Sequence, residues 1–262
     1  MKIEKIASRG VLFTFAELLE KYGCRTSVYV IVCPDCYYFC DSYLGVSYVE
    51  KMQQYLETEY GAKQYVVFNS HYDWDHIWGN AAFQNGDIVS SSLTRIAIEK
   101  RGPEQLRENA AGFAKEEIVI VLPNITFSER LVFEKDGVEF FHSPGHTADS
   151  SSCYDRVDRV LFVGDNVEEP LHYENSDDLG DYTRTLNHYL ELDASWTVAN
   201  HGGIISNNFV KTTLEFVETA LINKMNGGKT TGNMSGSSNL TYSGTISGYD
   251  IESSGSSKVR SK

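Results

Sequence analysis

Residues 69–80 read NSHYDWDHIWGN. Two imidazoles and two carboxylates, His71, Asp73, Asp75 and His76, fall within six positions, interleaved with aromatic side chains. The segment before them, QYVVFN at 64–69, is rich in β-branched and aromatic residues and reads as a buried strand. A chain that turns sharply as it leaves a strand can direct alternate side chains at one point. Strand ends of packed α/β sheets are where sites are commonly built. Imidazole and carboxylate ligands suit zinc, iron and manganese. Taken alone, the pattern also has a plainer reading, a helix cap with polar neighbours.

Three further groups share the same setting. His146 follows Gly145, Asp165 follows Gly164 at the end of the apolar run VLFVGD (160–165), and His201 ends WTVANHGG (196–203) ahead of Gly202 and Gly203. Glycine beside each ligand lets the backbone turn tightly where a site would form. Seven candidate metal ligands therefore sit at strand ends or in the loops after them: His71, Asp73, Asp75, His76, His146, Asp165 and His201.

Elsewhere the pattern predicts strands at 26–32 and 37–40 around Pro34-Asp35, a helix over 46–60 capped by Gly61, a helix starting near 76, and a short strand at 87–90. Two helical stretches broken by Gly102-Pro103 are expected next. Strand-like segments follow at 117–122, 130–134 and 137–142, with Asp136-Gly137 as a hairpin turn. Helices are expected over 181–192 and 208–225. Strand-rich segments in both halves, separated by helices, suit two packed sheets with helices outside. From 226 to 262 the chain is rich in Gly, Ser and Thr and reads as a tail, mostly disordered, with at most one weak hairpin.

Composition narrows the partners. The 262 residues carry a formal net charge of −13, which repels phosphate backbones and anionic lipid, so neither nucleic acid nor a membrane is expected as partner. No apolar run approaches the roughly 20 residues that span a bilayer. MKIEKIASRG at the start lacks a signal-peptide core, so a cytoplasmic location is expected, with the five cysteines as thiols. Cys33 and Cys36 form a C-x-x-C with no second copy, and read as hairpin residues rather than a zinc site. His142 reads as an imidazole packed in its strand or set behind a ligand, and His172 and His188 as loop and helix-surface residues. No G-x-S-x-G occurs, against a serine hydrolase of that type.

HYDWDH (71–76), SPGHT (143–147), VGDN (163–166) and NHGG (200–203) together resemble the metallo-β-lactamase-fold hydrolases, which carry H-x-H-x-D-H, then G-H-T, G-D and a late H-G. LPNITFSERL (122–131) is also similar, and the resemblance spans about residues 10–225. It implies an αββα sandwich, two mixed β-sheets flanked by helices, over residues 1–225. It implies two divalent metal ions, zinc by preference. His71, His146 and position 73 would hold the first, Asp75, His76 and His201 the second, with Asp165 bridging. The chain departs from the family at Asp73, where most members have histidine. Flavodiiron oxygen reductases resemble it in placing a carboxylate there, typically glutamate. Three carboxylates would weaken the ions as Lewis acids and tilt preference toward iron or manganese.

The function implied is a hydrolase using a metal-bound hydroxide on a small ester, thioester, lactone or related substrate, with Asp75 orienting the hydroxide and shuttling its proton. Two alternatives stay open: a di-iron oxidoreductase of the flavodiiron type with a separate electron donor, and a non-catalytic metal- or ligand-binding member. Specificity is expected in loops at 41–47, 101–116 and 166–180.

Overall fold

The computed structural model describes residues 1–83, 86–168 and 178–226, and the backbone of short strands beyond them. The first sheet has seven strands in sequence order: β1 (Lys2–Ile6), β2 (Gly10–Phe15), β3 (Thr26–Val32), β4 (Cys36–Cys40), β5 (Gln64–Asn69), β6 (Asp87–Ser91) and β7 (Ile125–Phe127). It is antiparallel up to β4 and parallel from β4 to β7. The second sheet runs β13-β12-β11-β10-β9-β8. Its strands are β8 (Arg130–Phe133), β9 (Val138–His142), β10 (Ser151–Asp155), β11 (Val160–Phe162), β12 (Trp196–Ala199) and β13 (Gly203–Ile205). Only β11 and β12 pair in parallel.

Side-chain alternation explains the layers. In β3, Val28 and Val30 face one apolar cluster while Tyr29 and Ile31 face another. In β4, Tyr37 and Phe39 oppose Tyr38 and Cys40 in the same way. A strand apolar on both faces must be covered on both. The inner cluster joins Ile31, Tyr38 and Phe68 of the first sheet to Phe140, Cys153 and Phe162 of the second, with Phe68 stacked on Phe140 at 4.3 Å. Outside the first sheet lie α2 (Val46–Tyr60) and α4 (Ser92–Phe113); α1 (Leu19–Tyr22) and α3 (Trp74–Ile77) are single turns. Outside the second lie α5 (Leu179–Glu191) and α6 (Asn207–Met225), packed on Phe141 and Leu161. The result is an αββα sandwich of two mixed sheets.

Several expectations need correction. Gly102-Pro103 does not break a helix: α4 runs through both. The proline interior costs roughly 3 kcal/mol. Burial of Ile98 before it and Phe113 after it recovers about 1.5–3 kcal/mol each. Ser91 caps the helix, its Oγ accepting from Thr94 N at 3.0 Å. The segment 101–116 is accordingly mostly helix, not a loop. Residues 117–122 join no sheet. Ile118, Ile120, Val121 and Leu122 pack on the outer core while Val119 points to solvent, so the segment is anchored by its apolar side chains but meets no strand edge. The pairing falls instead to β7. The hairpin of β1 and β2, and strands β10 and β13, had no sequence reading. The helix expected near 76 begins at Trp74 and continues as a 3-10 turn over Trp78–Phe83. In the tail, Met234–Ser235, Thr241–Ile246 and Tyr249–Ser253 pair as three antiparallel strands; the rest of that segment, and His172, lie outside the described residues.

Candidate metal centre

β5 lies between its parallel neighbours β4 and β6 in the first sheet, and its end delivers Ser70 and His71. In the second sheet, the parallel neighbours β11 and β12 end side by side and deliver Asp165 and His201 to the same rim. The sheets are stitched there. Ser151 N donates to Ser70 O at 2.8 Å, and Ser27 N to Asn200 O at 2.8 Å. Gly164 adopts φ +59°, which other residues resist, and a side chain there would sit 3.1 Å from Ser70 Cβ. Gly145 answers a different need: a Cβ would approach Asn166 Oδ1 to 2.6 Å, and that oxygen accepts the His146 amide at 2.8 Å.

All seven sequence-predicted ligands converge. His71, Asp73 and His146 form one group able to hold an ion, and Asp75, His76 and His201 another. Asp165 touches both: its Oδ2 lies 3.5 Å from His71 Nε2, 3.1 Å from His76 Nε2 and 3.4 Å from His201 Nε2. Asp73 Oδ2 lies 3.2 Å from His71 Nε2 and 3.4 Å from His146 Nε2. Asp75 Oδ2 lies 3.5 Å from His76 Nε2 and 3.3 Å from His201 Nε2.

Residues that sequence reading missed set the tautomers. Asp41, held at φ +67° just after β4, accepts the Ser70 amide at 2.7 Å, the Ser70 hydroxyl at 2.7 Å and His76 Nδ1–H at 3.0 Å. With its proton given to Asp41, Ser70 Oγ can only accept from His71 Nδ1–H, 3.0 Å away. One buried carboxylate therefore turns two Nε2 lone pairs toward the centre. His201 Nδ1 donates to Arg25 O at 3.2 Å, which frees its Nε2 likewise. From α4, Gln105 Nε2 donates to Asp73 Oδ1 at 2.6 Å, leaving Oδ2 for the centre. Glu168 is the fourth carboxylate: it is buried and groups with His146 and Asp165. Its only sequence signal is its place in the acidic run after VGDN.

The electrostatics are those of interleaved acids and imidazoles. Burial pushes against the Asp165 charge, yet His201 and His76 hold it well below the usual carboxylate range. Asp73 is likewise held well down by His146 and His71 against its burial, and Asp75 is lowered by His76 and His201. Burial opposes the imidazolium forms, but Asp165 lifts His76 and His201 well above the ordinary value, and Asp73 lifts His146 to about 9. Burial, with Asp165 beside it, raises Glu168 to about 7.

The side chains fit metal ions. His71 Nε2, His76 Nε2 and Asp165 Oδ1 are buried without a hydrogen-bond partner, a costly condition that a shared cation relieves. The donor set, imidazole nitrogen and carboxylate oxygen, is that of divalent metal sites. The cysteines form no such group among the described residues. Burial pushes Cys33 up to about 11 and Cys36 to about 12, so neither is a ready thiolate. Trp74 is a packing residue, 4.9 Å from Phe113 and 4.8 Å from Trp78, whereas Tyr72 accepts from Arg101 near the rim. His142 bonds Ala148 O, and His188 is half-exposed on α5 beside Phe141.

Solved structures of other proteins share the fold. The solved metallo-beta-lactamase of Hirschia baltica is 15% identical with a TM-score of 0.68, over 82% of this chain and 97% of that one. That of Pontibacter korlensis is 20% identical with a TM-score of 0.63, over 83% and 98%. That of Erythrobacter litoralis is 14% identical with a TM-score of 0.67, over 83% and 96%. No curated protein matches the sequence. The sequence model of the metallo-beta-lactamase superfamily matches residues 64–201, from the first residue of β5 to the last candidate ligand. With that match over more than half its length, the chain belongs to the metallo-beta-lactamase superfamily.

Proposed function

We propose that the chain is a binuclear metallohydrolase acting on a small ester, thioester, lactone or related substrate. Family membership supports a metal-dependent hydrolase; the two ions and the substrate class are this reading's own. One observation carries it: Asp165 Oδ2 lies within 3.5 Å of His71 Nε2 in one three-residue group and of His76 and His201 Nε2 in the other, and the Nε2 atoms of His71 and His76 are buried without a hydrogen-bond partner. His71, Asp73 and His146 would hold one ion, Asp75, His76 and His201 the other, with Asp165 common to both. Bound there, divalent ions supply Lewis acidity and lower the pKa of water. Asp75 lies against His76 and His201 and keeps a carboxylate pulled below its usual range, so it is charged at neutral pH and placed to orient the attacking water and take its proton. Asp41 and Gln105 hold the ligands in register. Residues 1–225 would form this catalytic domain and 226–262 a tail, in a cytoplasmic protein.

Asp73 supports a second reading, a di-iron oxidoreductase, because it adds an oxygen ligand where histidine is usual. Elemental analysis of protein purified without added metal or chelator separates the two. About two zinc or manganese ions, with turnover in an ester and thioester screen abolished by Asp75→Asn, support the hydrolase. About two irons with oxygen or nitric oxide reduction and no esterase activity support the second. Absence of bound metal sinks both.

A further inference from the structure

Three of the four imidazoles at the centre have an acceptor behind them: Ser70 Oγ for His71, Asp41 for His76 and the Arg25 carbonyl for His201. His146 differs. Its Nε2 faces Asp73, but among the described residues its Nδ1 makes no hydrogen bond. The acceptor nearest to hand is Glu168, whose Oε1 lies 3.8 Å from that Nδ1. Glu168 is only 6% exposed, and no hydrogen-bond donor among the described residues reaches its carboxylate. A largely buried carboxylate and the ring N–H of a partly exposed imidazole, neither hydrogen-bonded among the described residues, face one another just beyond bonding distance. A bond between them would offset part of what burying the carboxylate costs.

Resting on the metal-centre reading above, we propose that Glu168 is the positioning residue for His146, accepting its Nδ1–H and so aiming Nε2 into the first ligand group. A small rotation of the imidazole closes the gap. The pairing gives His146 what Asp41 gives His76, from a carboxylate that sits three residues after Asp165 on the same loop. A side chain that held only the local packing would not care which atom replaced its oxygen. A hydrogen-bond acceptor does.

The test uses the full chain, stripped with chelator and titrated with cobalt(II). The signal of the exchangeable Nδ1–H of His146 is followed by paramagnetic proton resonance and assigned by its loss in His146→Ala. Losing the hydrogen-bond partner behind a ligating imidazole typically weakens metal affinity about 10–100-fold. Glu168→Leu is expected to weaken one of two cobalt sites by that factor and to erase the His146 signal through fast exchange. Glu168→Gln keeps an acceptor oxygen and is expected to retain the signal with affinity within about threefold. Leu and wild-type proteins that bind alike with the signal intact would overturn the role of Glu168 alone. Equal losses in Leu and Gln would overturn it too, by making the charge rather than the acceptor what matters. Wild-type protein that takes up no cobalt would overturn the metal-centre reading together with this one.

Discussion

Two buried charged clusters sit at opposite ends of β10. At one end, Ser151 leans on Ser70 beside the candidate metal centre. At the other, Asp155 is fully buried against Arg9 from the turn between β1 and β2. Asp155 is satisfied on every side. Its Oδ2 accepts from Arg9 Nε at 2.9 Å, and its Oδ1 accepts from Arg9 Nη2, from Val157 N at 2.9 Å and from Asp158 N at 3.2 Å. Arg9 also donates to Asp136 O at 2.8 Å and, from Nη1, to Cys33 Sγ at 3.3 Å. The centre at the other rim leaves His71 Nε2, His76 Nε2 and Asp165 Oδ1 without partners. Burial and charge are alike in the two places; completeness is not. A cluster closed on itself ties the N-terminal hairpin to the second sheet. A cluster left open inside the protein is shaped for something that arrives later.

The contrast breaks most sharply at His76. Replacing it with alanine is expected to lower hydrolytic turnover at least about a thousandfold, some 4 kcal/mol, and to remove one ion by elemental analysis. Retained metal and turnover would mean that the open cluster is not the active centre. The closed cluster should answer in stability instead. Arg9→Met strands a buried carboxylate and is expected to cost roughly 3 kcal/mol in urea unfolding while metal content stays unchanged. A cost below about 1 kcal/mol would show that the backbone donors at Val157 and Asp158 suffice without the guanidinium.

Acidity separates the clusters further. His146 has a folded-state pKa of about 9, above the roughly 6.5 of a free imidazole. Its imidazolium stabilises the metal-free fold fully below about pH 6.5, and this contribution is lost as pH rises to about 9. The melting temperature of chelator-treated protein is expected to drop by a few degrees across that window. Arg9 stays charged throughout it, so Arg9→Met should leave the slope in place. His146→Ala should make it shallower, with His76 and His201, also lifted by Asp165 against their burial, supplying the remainder. The smallest effect belongs to the hairpin thiols. Cys36→Ser should release no metal, and the native Cys33 and Cys36 thiols should resist a thiol reagent at pH 8. Rapid labelling, or metal loss in the serine variant, would reopen the C-x-x-C as a site.

Much of this molecule is written locally. Runs of β-branched and aromatic residues mark β3, β4 and β5, the 3.6 period marks α2 and α6, and a strand followed by H-x-D-x-D-H shows where the chain turns its candidate ligands inward. Such signals survive in the sequence because each depends on neighbours a few positions apart. The same locality misled at Pro103, where an outer-face core holds one helix together, and at 117–122, where an extended segment finds no strand to pair with. Asp41 and Gln105 carry no local signal, and Glu168 only its place in an acidic run. Each is an ordinary polar residue until the fold sets it behind Ser70 and His76, beside Asp73, or facing His146. Long-range packing, which one residue's neighbours do not encode, selects the nitrogen each imidazole presents to the centre and leaves His146 and Glu168 waiting on each other.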